Sequence, residues 1–139
     1  MRWVLDCSFV ATLGLPDEHS PAVEEFFQRE ISQSELWVPA LWWYELSNVL
    51  LVAQRRQRIQ QAQRVALQMR FAALPLQTDG WTGEPLASRI QNLGEEYGLS
   101  AYDAAYLELA QRKDAGLASF DKALIAAAKR SGVECYAPA

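Results

Sequence analysis

The 139-residue chain is long enough to bury the core of one domain, and 50% hydrophobic and 22% charged residues are typical of a globular protein. No apolar run approaches the roughly 18 residues needed to cross a bilayer, and the N-terminus has no apolar signal segment. Two cysteines, Cys7 and Cys135, have neither the number nor the spacing of a disulfide framework or a zinc site. These features predict a single domain spanning residues 1–139, reduced, cytoplasmic and without a membrane partner.

The net charge of −4 gives no general attraction to nucleic acid, but the charges are unevenly distributed. No acidic residue lies between Glu45 and Asp79. That stretch contains five arginines: Arg55, Arg56, Arg58, Arg64 and Arg70. It predicts either a basic stripe beside an acidic centre or an ordinary solvated helix face.

Short apolar segments alternate with segments of helical periodicity along the chain. Strands are predicted at residues 3–5, 36–38, 76–77, 116–119 and 133–135. Helices are predicted at residues 8–13, 16–33, 39–56, 58–73, 81–97, 100–112 and 121–130. This alternation predicts an α/β fold with a short, mainly parallel central sheet flanked by helices.

Four acidic residues stand where apolar neighbours predict burial: Asp6, Glu45, Asp103 and Asp121. Burial of a carboxylate costs several kcal/mol unless it is paired, hydrogen-bonded or bound to a cation. Asp6 and Asp121 follow predicted strands, so either can simply cap the next helix, and Asp103 fits a capping box that begins at Ser100.

Glu45 has no capping role, because it lies in mid-helix on the side that carries Leu41 and Val49. An ion pair with an arginine elsewhere in the chain is the alternative to a bound cation. Oxygen ligands without His or Cys suit Mg²⁺, with Mn²⁺ as the alternative. The single histidine, His19, lies in a polar stretch, and Cys7 has no neighbouring base, so nucleophilic and zinc chemistry are poorly supported.

The order and spacing of the four acids resemble the acidic motifs of PIN-domain ribonucleases. The matching segments are Asp6-Cys7-Ser8, the helical Glu45, Ser100-Ala-Tyr-Asp103 and Ser119-Phe-Asp121. The chain length makes it most similar to the VapC toxins of toxin–antitoxin pairs. Ser119 stands where many members carry threonine. The further acid often found near the last motif is not evident in this chain, in which Lys122 follows Asp121 directly.

The resemblance implies a three-layer PIN-like fold and a metal-dependent endoribonuclease. Asp6 and Asp103 are expected to bind Mg²⁺ directly. Glu45 and Asp121 are expected to bind a second ion, to hold metal-bound waters or to assist proton transfer. Ser8 and Ser119 are expected to orient those carboxylates or waters.

The family also implies a cognate antitoxin partner and a homodimer. Trp42, Trp43 and Tyr44 cannot all face one side of a helix, so at least one ring should be exposed and available for a partner or for base stacking. The other aromatic candidates for a partner groove are Phe26 and Phe27.

Three other interpretations compete. A PIN nuclease of RNA maturation or decay without an antitoxin carries the same acids. A non-catalytic PIN-like binding module is disfavoured because all four acids are present. Phosphoacceptor domains and haloacid-dehalogenase-like phosphatases require further acids directly after the first strand, where this chain has Cys7 and Ser8.

Overall fold

The computed structural model describes residues 1–136 and has an α/β architecture in which helices cover both faces of a parallel sheet. Its four strands are β1 (Arg2–Leu5), β2 (Glu35–Val38), β3 (Leu76–Thr78) and β4 (Gly116–Ala118). Its seven helices are α1 (Cys7–Ala11), α2 (Pro21–Glu30), α3 (Leu41–Arg55), α4 (Gln61–Ala72), α5 (Glu84–Tyr97), α6 (Ala101–Arg112) and α7 (Lys122–Arg130). The predicted fold class is confirmed. None of these helices combines the length and apolar character that spanning a bilayer requires.

The sheet has the strand order β3-β2-β1-β4, and every pairing is parallel. β2 and β3 are therefore added successively on one side of β1, and β4 pairs with β1 on its other side. The strand order reverses next to β1, and open parallel sheets bind ligands at the carboxyl ends of the strands at such a reversal. Residues that follow β1 and β4 are thus placed at the favoured edge.

The central strand is buried on both faces, as its continuous apolar sequence predicts. Val4 and Leu5 have no exposed surface, and Trp3 is nearly as deeply buried. Gly116 is paired with Trp3 across the β1–β4 ladder. A Cβ atom at position 116 would lie 2.5 Å from Trp3 Cζ3, so only glycine fits beneath this indole.

Several predicted boundaries are wrong. The helices expected to begin at residues 39, 58 and 81 begin at residues 41, 61 and 84, and two other elements differ more. The helix expected at residues 16–33 is confined to Pro21–Glu30, because residues 16–17 form a turn and Pro21 supplies the first helical turn. The strand expected at residues 133–135 is reduced to one parallel bridge between Cys135 and Leu117. Its backbone still extends the sheet, since Leu117 N–H donates to the Glu134 carbonyl at 2.8 Å.

Candidate functional site

Asp6 lies at the carboxyl end of β1 with its side chain turned into the protein. Only 8% of the residue is exposed, and its backbone N–H donates to the Ala118 carbonyl at 3.0 Å. Asp6 occupies the N-cap position of α1, yet its side chain makes no capping hydrogen bond. The carboxylate oxygen Oδ2 instead accepts hydrogen bonds from Ser119 at 2.7 Å and from Ser8 at 3.2 Å. The capping interpretation is therefore wrong for Asp6.

Ser119 links the segments that follow β1 and β4. Its hydroxyl is buried, donates to Asp6 and accepts from the backbone N–H of Asp121 at 3.0 Å. Asp121 does cap its helix, since its Oδ1 accepts from the backbone N–H of Leu124 at 2.8 Å. The interpretation of Asp121 as a helix cap is confirmed, and capping by Oδ1 leaves the carboxylate a second oxygen.

Glu45 is half-buried on α3, flanked on the helix surface by the fully buried Trp42 and Leu46. Its Oε1 accepts a hydrogen bond from the Tyr106 hydroxyl of α6. Within residues 1–136 no arginine or lysine forms an ion pair with it, so the arginine alternative is not realised. The position predicted from helical periodicity is confirmed.

Asp103 lies half-buried in the first turn of α6. The Ser100 hydroxyl caps this helix by accepting from the Asp103 backbone N–H at 3.1 Å. The Asp103 side chain makes no hydrogen bond to the backbone N–H of Ser100, so only half of the predicted capping box forms. The carboxylate is left for another role.

The carboxylates influence one another electrostatically, which shows that the fold brings distant segments together. Burial raises the pKa of Asp6, and the charge of Asp121 raises it further, while the serine hydrogen bonds act in the opposite direction. Burial also raises the pKa of Asp103, and the charges of Asp121 and Asp6 add to this effect.

The pKa of Glu45 is raised mainly by burial, which outweighs the hydrogen bond from Tyr106, and the charges of Asp6 and Asp103 contribute. The four acids thus form one electrostatic cluster, which we call the acidic site. Like charges that raise one another's pKa favour a bound cation.

The chemistry of the acidic site fits a hard divalent cation such as Mg²⁺ or Mn²⁺, because every charged donor is a carboxylate oxygen. His19 lies on the surface beside Glu24, with Nδ1 and the glutamate oxygen 3.3 Å apart, and does not join the site. Within residues 1–136 no three His, Cys, Asp or Glu side chains stand as a ready-made metal shell. The carboxylate oxygens therefore suit a divalent cation in atom type and charge, but the side chains are not arranged as a preformed coordination sphere.

Cys7 is buried beside the acidic site, and burial raises its thiol pKa well above the ordinary range, with the charges of Glu45 and Asp6 adding to the effect. Such a thiol stays protonated and is a poor nucleophile. Its predicted role in packing agrees with this environment.

The five arginines of the acid-free stretch differ in their surroundings. Arg58 forms hydrogen bonds to both carboxylate oxygens of Asp17 and lies 3.3 Å from Glu18. Arg64 donates from Nε to Gln54 at 2.5 Å. The remaining three are exposed and form no ion pair within the described residues: Arg55, Arg56 and Arg70.

The aromatic run on α3 divides as predicted. Trp42 is fully buried, Trp43 is half-buried and donates from Nε1 to Thr78 at 2.9 Å, and Tyr44 is exposed. The suggestion that Phe26 and Phe27 line a partner groove is wrong. Both are buried in the core, because α2 packs this side of its surface against the first strand and helix.

Two features of the structure were not predicted from the sequence. One is Tyr106, whose only signal is its position one turn after Asp103 on the same helix. The other is a charged cluster in which Arg112 Nε and Nη2 donate to buried Glu108 at 2.8 and 3.0 Å, and Nη1 donates to Asp79 at 3.1 Å. The Arg112 guanidinium also lies 4.7 Å from the centroid of the Trp81 ring. Here the buried acids are paired with a cation of the chain itself, unlike those of the acidic site.

A surface cavity of about 520 Å³ lies away from the acidic site. It lies at the amino ends of the strands, lined by Met1, Gly116 and Glu134 among others. We give it no weight as a reaction site, because it gathers few charged groups and lies at the opposite edge of the sheet.

Comparison with known proteins gives one sequence match and several structural ones. The sequence model of the PIN domain matches residues 4–130, which is most of the chain. None of the curated proteins has a sequence that matches it.

Three solved structures illustrate the structural likeness. PAE2754 from Pyrobaculum aerophilum is 23% identical, with a TM-score of 0.70 over 97% of this chain and 83% of its own. FitAcB from Neisseria gonorrhoeae is 16% identical, with a TM-score of 0.69 over 98% and 97%. VapBC2 from Rickettsia felis, bound to a DNA fragment from its promoter, is 12% identical, with a TM-score of 0.71 over 98% of each chain. At these identities the likeness concerns the fold.

Proposed function

This chain belongs to the PIN-domain family, and on that premise we propose that it is a Mg²⁺-dependent endoribonuclease, acting as the toxin of a VapBC-type toxin–antitoxin pair. We further propose that residues 1–139 act as a single nuclease domain. The observation that carries the proposal is the acidic site: four mutually repelling carboxylates at the carboxyl edge of the sheet, with no arginine or lysine of the described chain paired to them.

In this proposal Asp6 and Asp103 bind the ion directly, while Glu45 and Asp121 bind a second ion, hold metal-bound waters or assist proton transfer. A bound divalent ion would stabilise the negative charge that develops on the scissile phosphate and would lower the pKa of an attacking water. Mn²⁺ would serve in the same role.

The neighbouring side chains hold the carboxylates in place. Ser119 and Ser8 donate to the same oxygen of Asp6, which fixes the orientation of that carboxylate. Tyr106 does the same for Glu45. Because each donor stabilises the charged carboxylate, it also limits the rise in pKa that burial causes.

RNA is repelled by the acidic site when no cation is bound, so binding requires basic contacts elsewhere. We propose that Arg55, Arg56, Arg64 and Arg70 contact RNA phosphates. Arg55 lies ten residues after Glu45 on the same helix, about 15 Å along its axis. Arg58 belongs to the predicted set as well, but Asp17 occupies its guanidinium, so we expect it to contribute least.

The proposal of a toxin role draws on the neighbouring structures. One is described as a toxin–antitoxin complex from Klebsiella pneumoniae, and this chain shares 18% identity and a TM-score of 0.65 with it. We propose by analogy a cognate antitoxin and a homodimer for this chain. A PIN nuclease of RNA maturation or decay would have the same site, and a small open reading frame upstream of the gene would favour the toxin.

The test is cleavage of a structured RNA by the purified protein in Mg²⁺ or Mn²⁺. Asp6→Asn and Asp103→Asn should abolish cleavage and retain the circular dichroism spectrum of the wild type. Asp114→Asn is the matched control, since Asp114 is an exposed acid in a left-handed conformation that asparagine tolerates. Undiminished cleavage by either site variant, or in excess EDTA, contradicts the metal-dependent mechanism.

A further inference from the structure

A cavity of about 220 Å³ lies among the start of α3, the first two turns of α5, the middle of α6 and the connection between β3 and α5. We call it the α5 pocket. Ala40, Thr82 and Gly83 are exposed lining residues and form its mouth. Ala105 and Glu108 are buried lining residues and form its floor. The pocket is therefore a recess that a ligand can enter from solvent.

The walls of the α5 pocket are apolar. Aliphatic side chains from three helices contribute to them: Leu41 of α3, Leu86 and Ile90 of α5, and Leu109 of α6. Trp81 of the connection between β3 and α5 lines a further side. A hydrocarbon chain that enters such a space leaves water, which is favourable in proportion to the apolar area buried. The walls therefore suit an alkyl chain.

The charged residues that line the α5 pocket are both acids. They are Asp79 and Glu108, which are only 9% and 1% exposed. Arg112 donates to Glu108 at 2.8 and 3.0 Å and to Asp79 at 3.1 Å, but it does not itself line the pocket. Arg89, which lies 3.9 Å from Glu108 with half of its side chain exposed, does not line it either. Among the described residues, the pocket therefore presents two carboxylates and no cation.

The contacts within the chain do not use the full capacity of these carboxylates. An ionised carboxylate has about four acceptor positions, and Arg112 donates two hydrogen bonds to each of the two. Two negative charges thus meet one guanidinium at hydrogen-bonding distance. The positive end of the α5 dipole lies nearby, but Glu84 in the first turn of that helix offsets it. A cation that enters the pocket would meet both negative charge and free acceptor positions.

We propose that the α5 pocket binds an alkylammonium group, with the alkyl chain between the apolar walls and the ammonium on Asp79 and Glu108. An ammonium is a compact donor of three hydrogen bonds, so it can use the free acceptor positions without displacing the planar guanidinium of Arg112. The group can belong to a free aliphatic amine or to a lysine side chain of another protein. None of the four acids of the acidic site lines this pocket, and the inference does not depend on the proposed nuclease function.

The experiment is an NMR titration of the ¹⁵N-labelled protein at pH 7, where aliphatic amines are protonated. The probes are n-propylamine, n-butylamine and n-pentylamine. Affinity should rise roughly fourfold with each added methylene, because each one buries a similar apolar area. The neutral 1-pentanol should bind more weakly than n-pentylamine, and the anionic pentanoate more weakly still. The amide signals that shift should include those of Leu86 and Ala105, which line the pocket.

Two variants separate the charge of the pocket from its shape. Asp79→Asn keeps the size of the side chain and removes one negative charge, so it should weaken n-pentylamine binding at least about tenfold and leave 1-pentanol binding unchanged. Leu86→Phe adds bulk to the wall and should weaken binding of both probes, which keeps the test decisive if Asp79→Asn does not fold. Asp114→Asn is the matched control, because Asp114 is an exposed acid that does not line this pocket. It should bind both probes as the wild type does.

The inference is overturned if 1-pentanol binds as tightly as n-pentylamine, if folded Asp79→Asn binds the amine as the wild type does, or if no probe binds. It is also overturned if Leu86→Phe leaves amine binding unchanged, because the amine then binds elsewhere. The peptide acetyl-Gly-Lys-Gly-amide identifies the source of the group. Tighter binding of the peptide than of n-pentylamine indicates a lysine of a protein partner, and weaker binding indicates a free amine; either result supports the site. RNA cleavage is measured separately, so failure here leaves the proposed nuclease function intact.

Discussion

Replacing Arg112 by methionine tests how much the pairing of a buried carboxylate with an arginine contributes to the free energy of unfolding. Arg112 forms two hydrogen bonds to Glu108, which is 1% exposed, and further bonds to Asp79. Methionine preserves much of the side-chain volume but removes both hydrogen bonds from the buried carboxylate of Glu108, which keeps only the half-exposed Arg89, 3.9 Å away, as a basic neighbour. Breaking such a pair costs about 3–5 kcal/mol.

The expected change in melting temperature follows from the length of the chain. An unfolding entropy of about 2.1 cal/mol/K per residue gives about 0.3 kcal/mol/K for 139 residues, so Arg112→Met should lower Tm by about 10–17 °C. Arg58→Met is the matched control, because its acidic partners Asp17 and Glu18 are exposed and solvent screens such surface pairs, which therefore contribute little to stability. Its Tm should fall by at most about 3 °C.

Thermal unfolding at pH 7, followed by circular dichroism, measures both variants. Adding Glu108→Gln to Arg112→Met removes the uncompensated charge and should recover part of the lost stability. The reasoning is refuted if Arg112→Met unfolds within about 1 kcal/mol of the wild type, or if the two single variants are equally stable.

Three further predictions concern the acidic site and the sheet. Because the folded-state pKa of Asp6 is raised above its ordinary 3.8, the stability that it contributes is present below pH 4 and is lost as the pH rises through the raised value. In chelator at pH 7, Asp6→Asn should therefore stabilise the folded protein by about 1 kcal/mol, which corresponds to a rise in Tm of about 2–5 °C. The same variant should show a smaller increase in Tm when Mg²⁺ is added. An unchanged Tm in chelator would contradict the repulsion between Asp6 and the other acids of the site. Tyr106→Phe removes the hydrogen bond that favours ionised Glu45, so the pKa of Glu45 should rise. The acidic limb of the cleavage pH profile should then move to higher pH. A profile identical to that of the wild type would exclude this role for Tyr106. Gly116→Ala places a methyl group against the Trp3 ring and should cost about 1–3 kcal/mol in urea unfolding, whereas a cost below about 0.5 kcal/mol would mean that the indole moves freely.

The location of the site was predictable because it depends on strand ends. Asp6 and Asp121 follow apolar strands, and parallel strands gather such residues at one edge. Helical periodicity likewise placed Glu45 on an inward-facing side of α3. The sequence did not reveal the hydrogen bond from Tyr106, because it joins residues 61 positions apart on two helices.

The wrong predictions also concern contacts between residues that are far apart in the sequence. Periodicity showed that Phe26 and Phe27 share an apolar face, but it did not show whether the core or a partner covers that face. The charge count placed Arg58 with the other arginines, whereas its ion pair with Asp17 depends on how a distant loop folds. The Arg112 cluster was not predicted because its acids, Asp79 and Glu108, lie 29 positions apart, one in a loop and one in a helix. The sequence also does not show whether a charged residue is buried.

The strand order has a consequence for the order of events during synthesis. β1 is the first of the four strands to be made and has a neighbour on each side, yet one of these neighbours, β4, is the last of the four to be made. The hydrogen bond between Ser119 and Asp6 spans 113 positions, so the nascent chain holds Asp6 without its partner until Ser119 has been translated. The four acids therefore meet only after Asp121 has been translated. For the toxin role proposed above, this delay would keep partial translation products inactive.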